Sequence, residues 1–138
     1  MPDSSAAFAH TWPAQPEHVG EARRAVVDFA RGAGADAATL FGIELAVSEA
    51  CTNAIVHGYA DGPPKSFTVG AELLADQLQI IVRDHGRGMV PRPDSPGLGL
   101  GLPLISQMAE RVEVRSPSDG DGVELCMTFA LAGAAEAA

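Results

Sequence analysis

The sequence predicts an α+β fold, a two-layer sandwich with one mixed sheet and its helices gathered on one face. Three observations predict it. Two segments, Glu17 to Arg31 and Asp36 to about His57, carry apolar residues at helical spacing. Two others, Ser66 to Leu74 and Gln77 to Arg83, read as strands and are separated only by Ala75-Asp76. From Asp84 to Gly101 glycine and proline are so frequent that no regular element fits.

In chain order, Ala6 to Trp12 reads as a first strand that Pro13 and Pro16 end. The first helix places Val19, Ala22, Val26 and Phe29 or Ala30 on one stripe, and Gly32 and Gly34 stop it. Asp36 is a good N-cap for the longer second helix, which Gly58 closes. After the hairpin and the glycine-rich stretch, Leu102 to about Arg111 returns to helical spacing. Val112 to Arg115 and Val123 to Leu131 then read as closing strands around a Ser-Pro-Ser-Asp-Gly-Asp-Gly turn. The order is β-α-α-β-β-loop-α-β-β, in one domain without internal repeats.

The chain's 138 residues suffice for a single core, and 46% apolar residues mark a globular composition. The formal charge of −9 argues against a nucleic-acid binder, whose affinity comes largely from Lys and Arg clusters. An acidic protein can still take a nucleotide if Mg²⁺ and backbone N–H groups supply the positive field. Cys51 and Cys126 lie in apolar runs without metal-ligand spacing, so small buried core residues are expected. No apolar run approaches the ~20 residues of a membrane span. A cytoplasmic protein with neither membrane nor nucleic-acid attachment is the expectation.

On the second helix, Leu40, Ile43, Ala50, Cys51 and Ala54 fall near Val47 at about 100° per residue. Glu49 and Asn53 fall nearly opposite, one turn apart, and share that side with Leu45, Thr52 and Val56. A partly covered cleft is expected there, an exposed polar pair being the plainer alternative. An amide oxygen suits the shell of a hard cation, and a carboxylate beside it can accept a proton from a hydroxyl. The strand ending at Arg83 runs into Asp84-His85-Gly86-Arg87-Gly88, which puts a carboxylate at a pocket mouth with room for a flat ligand. Gly97-Leu98-Gly99-Leu100-Gly101 then precedes a helix, where free N–H groups favour an anion. It is neither a Rossmann loop, because Leu102 stands where a third glycine would, nor a P-loop, because no Gly-Lys-Ser/Thr follows. His10, His18 and His85 show no ligand spacing, and Trp12 and Tyr59 read as packing residues.

Glu49-x-x-x-Asn53, Asp84-x-Gly86-x-Gly88 and Gly97-Leu98-Gly99-Leu100-Gly101, in that order, resemble the N box and the two glycine boxes of the GHKL (Bergerat-fold) ATPases. Within that superfamily the segment Glu44-Leu45-Ala46-Val47-Ser48-Glu49-Ala50-Cys51-Thr52-Asn53-Ala54-Ile55 looks most like the anti-sigma-factor serine kinases of bacteria. So does Pro13-Ala14-Gln15-Pro16-Glu17 with the following Val19 and Ala22-Arg23. The resemblance spans about residues 8 to 131.

The resemblance implies roles for these residues. Asn53 would hold Mg²⁺, Glu49 would be the general base, and Asp84 would bond the adenine amine of ATP or ADP. Gly86 and Gly88 would shape the adenine side. Gly97, Gly99 and Gly101, with Leu98 and Leu100 between them, would lie along the phosphates. His57, one turn beyond Asn53, would reach the phosphates or the lid, its plainer reading being a helix-end histidine on the last carbonyls. Arg23 is a candidate partner contact, or otherwise solvated surface. By the same resemblance such a protein phosphorylates a serine of a STAS-domain anti-sigma-factor antagonist, binds a sigma factor in competition with it, and forms a homodimer.

Only Met89 to Pro96, eight residues with three prolines, separate the two glycine boxes, and Arg92 is the one basic residue among them. The family's lid is often longer and brings polar or basic groups over the γ-phosphate. A short, stiff lid keeps a second reading open: a nucleotide-gated binding module with little or no kinase turnover.

Overall fold

The computed structural model describes residues 7–58, 66–85, 103–116 and 122–131. Strand β1 (Ala7–Pro13) leads through a 3₁₀ turn (Pro16–His18) into helix α1 (Val19–Gly32), followed by helix α2 (Ala37–Gly58). Strands β2 (Ser66–Leu74) and β3 (Gln77–Asp84) form a hairpin. Residues 103–108 are helical, and β4 (Arg111–Arg115) and β5 (Glu124–Ala130) close the domain.

The five strands lie in the order β1-β2-β3-β5-β4. The α+β sandwich stands as expected, but the expected mixed sheet does not: among the described residues every pairing is antiparallel. The crossover after β3 does bring β4 back in the direction of β3. β5 then turns in between the two and pairs antiparallel with both, so the two parallel strands never meet.

Alternation along β2 and β3 sets the layers. Phe67, Val69 and Ala71 of β2 and Leu78, Ile80, Val82 and Asp84 of β3 are buried. Leu125, Met127 and Phe129 of β5 continue that face. It packs with Val26 and Ala30 of α1 and Ile43, Val47, Ala50 and Ala54 of α2 in one core. Trp12 stacks on Phe67 at 5.8 Å, and Phe8 meets Phe29 edge-on at 5.3 Å, which ties the edge strand to that core. α2 is packed against both α1 and the sheet, which is why its apolar residues extend well round its circumference. Cys51 and Cys126 are buried free thiols, and burial pushes Cys51 up to about 12.

Helix boundaries follow local chemistry. α1 ends in a left-handed cap: Gly34 has φ +98°, its N–H donates to the Arg31 carbonyl, and that of Ala35 donates to the Ala30 carbonyl. The N-terminus of α2 is capped as expected, the Thr39 N–H donating to Asp36 Oδ1 at 2.9 Å. Glu110 donates its N–H to the Thr128 carbonyl, so Arg111 opens β4 instead of ending the preceding helix.

The Asp36 cap carries a pH dependence. The backbone N–H and then the side chain of Thr39 hold its carboxyl below the usual carboxylate range. The folded value is the lower one, so the contribution is fully present above the unfolded pKa. It is lost as pH falls through the folded value. Asp36→Ala is expected to lower the thermal midpoint by a few degrees at neutral pH. The gap to the parent should close as the pH drops below the carboxylate range. A gap that persists unchanged into strong acid would show that the carboxylate is not what caps the helix.

Candidate functional site

α2 and β3 deliver the two polar groups that matter most. Asn53 is 3% exposed and Asp84 is 0% exposed, and among the described residues they are the only buried polar or charged side chains. Asp84 lies on the sheet face that meets the helices, in line with Val82 and Ile80. Asn53 is buried on α2, which packs on β3. Asn53 is buried, so the plainer alternative of an exposed polar pair does not hold for it. Glu49, one turn earlier, is half-buried.

Asn53 Nδ2 is buried without a hydrogen-bond partner. An orphaned buried amide costs about 1–3 kcal/mol, and Ala50, one turn earlier on α2, and Ala54, next in sequence, are fully buried and offer no polar side chain. A polar ligand at this point relieves that cost. The donor set suits Mg·nucleotide: an amide oxygen can enter a hard-cation shell that is mostly water and phosphate, and the Glu49 carboxylate one turn away can accept a proton. Among the described residues no group of three or more His, Cys, Asp and Glu side chains forms an all-protein metal cage.

Asp84 is pinned from the β5 side. Its N–H donates to the Val123 carbonyl at 3.1 Å. Gly122, with φ +98°, lies so close that a Cβ there would stand 2.0 Å from the Asp84 carbonyl oxygen and 3.1 Å from Oδ1. In the sequence, Gly120-Asp121-Gly122 reads only as a turn. Nothing local signals that its last glycine packs against a residue 38 positions earlier, and only the register of β5 beside β3 reveals it.

Arg23 is not simply solvated. Its Nη1 donates to Ser48 Oγ at 3.1 Å, and its Nε lies 3.9 Å from Glu44 Oε2. α1 is thereby tied to α2 one residue before Glu49, and the Arg23 side chain stays 38% exposed. His57 belongs to the last turn of α2, but its side chain lies outside the described residues. Gly86, Gly88, Gly97, Leu98, Gly99, Leu100 and Gly101 lie outside them too, as do Tyr59 and Arg92. Two grooves among the described residues, of about 200 and 490 Å³, lie by the β2–β3 turn and the start of α2, at the far end of β3 from Asp84.

Comparison with known proteins places this geometry in a family. Residues 12–129 match the histidine kinase-like ATPase domain. The chain belongs to that family. It is 34% identical to the serine-protein kinase RsbW of Halalkalibacterium halodurans, over 86% of this chain and 79% of that protein. To RsbW of Bacillus subtilis it is 32% identical, over 88% of this chain and 83% of that protein. It is also 31% identical to the anti-sigma F factor of Clostridium perfringens, over 77% of this chain and 84% of that one. A crystal structure of the RsbU and RsbW domains of Rv1364c from Mycobacterium tuberculosis shares the fold. Its TM-score is 0.72 at 22% identity, over 91% of this chain and 32% of that one. The resemblance to the anti-sigma serine kinases read from the sequence is thus borne out. No described helix is long and apolar enough to cross a membrane.

Proposed function

We propose that this protein is an ATP-dependent protein-serine kinase that acts as an anti-sigma factor, phosphorylating a STAS-domain antagonist and holding a sigma factor in a partner switch. The observation that carries the nucleotide part is the burial of Asn53 and Asp84, and of no other polar side chain among the described residues, on facing elements. The names of the relatives support serine as the acceptor residue and a sigma factor as a partner, and the STAS-domain antagonist follows from the sequence resemblance.

In this reading Asp84 accepts a hydrogen bond from the adenine amine, and the walls formed by Val123 and Gly122 keep it in place. Asn53 holds Mg²⁺ through its side-chain oxygen. When bound, the ion screens the phosphate charge that a chain of net charge −9 cannot neutralise alone. Glu49 takes the proton of the attacking serine hydroxyl. By the sequence motif, Gly86 and Gly88 are assigned to the adenine side, the Gly97–Gly101 segment to the phosphates, and His57 to the phosphates or the lid. Phosphoryl transfer depends chiefly on positioning and electrostatics. Fixing Glu49 and Asn53 on one helix packed between α1 and the sheet serves that requirement. Arg23, anchored by Ser48 and Glu44 yet partly exposed, is a partner contact on the α1 side. The working form is a cytoplasmic homodimer that binds neither nucleic acid nor membrane.

The test is transfer of labelled γ-phosphate from Mg·ATP to the STAS-domain proteins of the same genome. A phosphoserine on one of them, matched by competition between that protein and a sigma factor, is the expected outcome. A stable Mg·ATP complex with no labelled STAS protein would select the alternative that the short Met89–Pro96 segment favours, a nucleotide-gated binding module.

A further inference from the structure

The residue after Asp84 is also anchored, on the opposite side of the sheet. His85 Nε2 lies 2.7 Å from Thr68 Oγ1, and Thr68 Oγ1 lies 2.8 Å from Thr11 Oγ1. The His85 N–H donates to the Ser66 carbonyl at 3.3 Å. Register explains the line-up. Thr11 stands opposite Thr68 across β1 and β2, and Thr68 stands opposite Arg83 across β2 and β3. His85, two residues past Arg83, is the diagonal neighbour of Thr68 on the same outer face. Alternation sends Asp84 to the inner face, where it is buried. One backbone step therefore carries an outward ring joined to β2 and, through Thr68, to β1, and an inward carboxylate whose backbone is bonded to Val123 and packed against Gly122.

We propose that His85 is a positioning residue for nucleotide binding. Tied through Thr68 to Thr11, it fixes the strand-to-loop junction from outside so that the Asp84 carboxylate keeps its place inside. The ring itself touches no nucleotide. This rests on the reading of Asp84 as the base-recognising group.

The chemistry of the chain suits a clamp. A threonine hydroxyl donates one hydrogen bond and accepts others, so Thr68 in the middle can run the chain either way. Thr11 donates to Thr68 and Thr68 to an unprotonated Nε2, or Nε2–H donates to Thr68 and Thr68 to Thr11. The ring orientation is the same in both. Hydrogen bonds in series also strengthen one another. Valine at 68 keeps the branched shape and removes the bond, whereas serine keeps the hydroxyl.

The experiment is calorimetric titration with Mg·ADP of the parent, Thr68→Val, Thr68→Ser, His85→Ala, the double variant Thr68→Val/His85→Ala, and Asp84→Ala. Thr68→Val is expected to weaken ADP by about three- to tenfold, the range one lost hydrogen bond supports. Thr68→Ser should restore parent affinity. His85→Ala should also weaken ADP, and the double variant should fall short of the sum of the two, because both single changes break the shared Thr68–His85 link. Parent affinity in folded Thr68→Val and His85→Ala, with Asp84→Ala unable to bind, would overturn the positioning role while leaving the Asp84 reading intact. Parent affinity in Asp84→Ala would instead overturn the base-recognition reading and the clamp that rests on it. His85→Ala changes a half-buried residue beyond the last ladder pair, so its affinity decides between these outcomes if Thr68→Val does not fold.

Discussion

Glu49→Ala is expected to cut phosphoryl transfer by about 10²–10⁴-fold, the range a general base contributes, while Mg·ATP affinity stays close to that of the parent. The split follows from placement. Glu49 is half-buried, one turn before Asn53 on α2. In the proposed role its side chain takes a proton from a hydroxyl at the γ-phosphate and is not a ligand of the nucleotide itself. Alanine is the best helix former, and α2 is held from both sides by α1 and the sheet, so the helix should persist. Removing a group that acts only in the transition state lowers kcat and leaves binding nearly unchanged. Single-turnover transfer to the partner serine, measured beside a nucleotide titration of the same preparation, separates the two effects. Glu49→Gln adds a check, since it keeps the shape and removes the basicity. Transfer at the parent rate in either variant would remove Glu49 from the role of base.

Gly122→Ala is expected to damage folding and binding together. Two costs add at that position. The backbone sits at φ +98°, where an L side chain is strained by about 1–3 kcal/mol. The new Cβ would also stand 2.0 Å from the Asp84 carbonyl oxygen, which is backbone and cannot rotate away. Gly34 offers a matched control: its φ is also +98°, but nothing lies within 4 Å of a Cβ there. Gly34→Ala should show the backbone cost alone. The excess loss of stability in Gly122→Ala over Gly34→Ala then measures the overlap with Asp84. Nucleotide affinity should be parent-like in Gly34→Ala and at least about tenfold weaker in Gly122→Ala, a tenfold change corresponding to about 1.4 kcal/mol. Equal stability in the two variants, with parent affinity in both, would show that the contact does not hold the carboxylate.

Signals that are local in the chain were legible in the sequence. The Asp36 cap, the glycine stop after α1, the Ala75-Asp76 hairpin and the two long helices all rest on neighbours within a few residues, and the structure places them as read. Asn53 and Asp84 were legible for a different reason: a polar residue within an apolar helix, and a carboxylate at the end of an apolar strand, break the pattern around them. What escaped was set by pairing between distant strands. β5 enters between β3 and β4, which turns the expected mixed sheet antiparallel and brings Gly122 onto Asp84. His85 offered no ligand spacing because it joins a chain that runs through Thr68 of β2 to Thr11 of β1. Arg23 looked like a lone helix arginine because Ser48, which it grips, stands 25 residues away. The glycine boxes after His85 and the short segment between them lie outside the described residues, so their part in the site rests on the sequence motif and the family.

The most direct test of the central claim is calorimetric titration of the parent protein and of Asp84→Ala with ATP and with ADP, each with and without Mg²⁺. The expected result is saturable binding by the parent that Mg²⁺ strengthens and that Asp84→Ala removes. Well-folded parent protein that binds neither nucleotide under any of these conditions would contradict it.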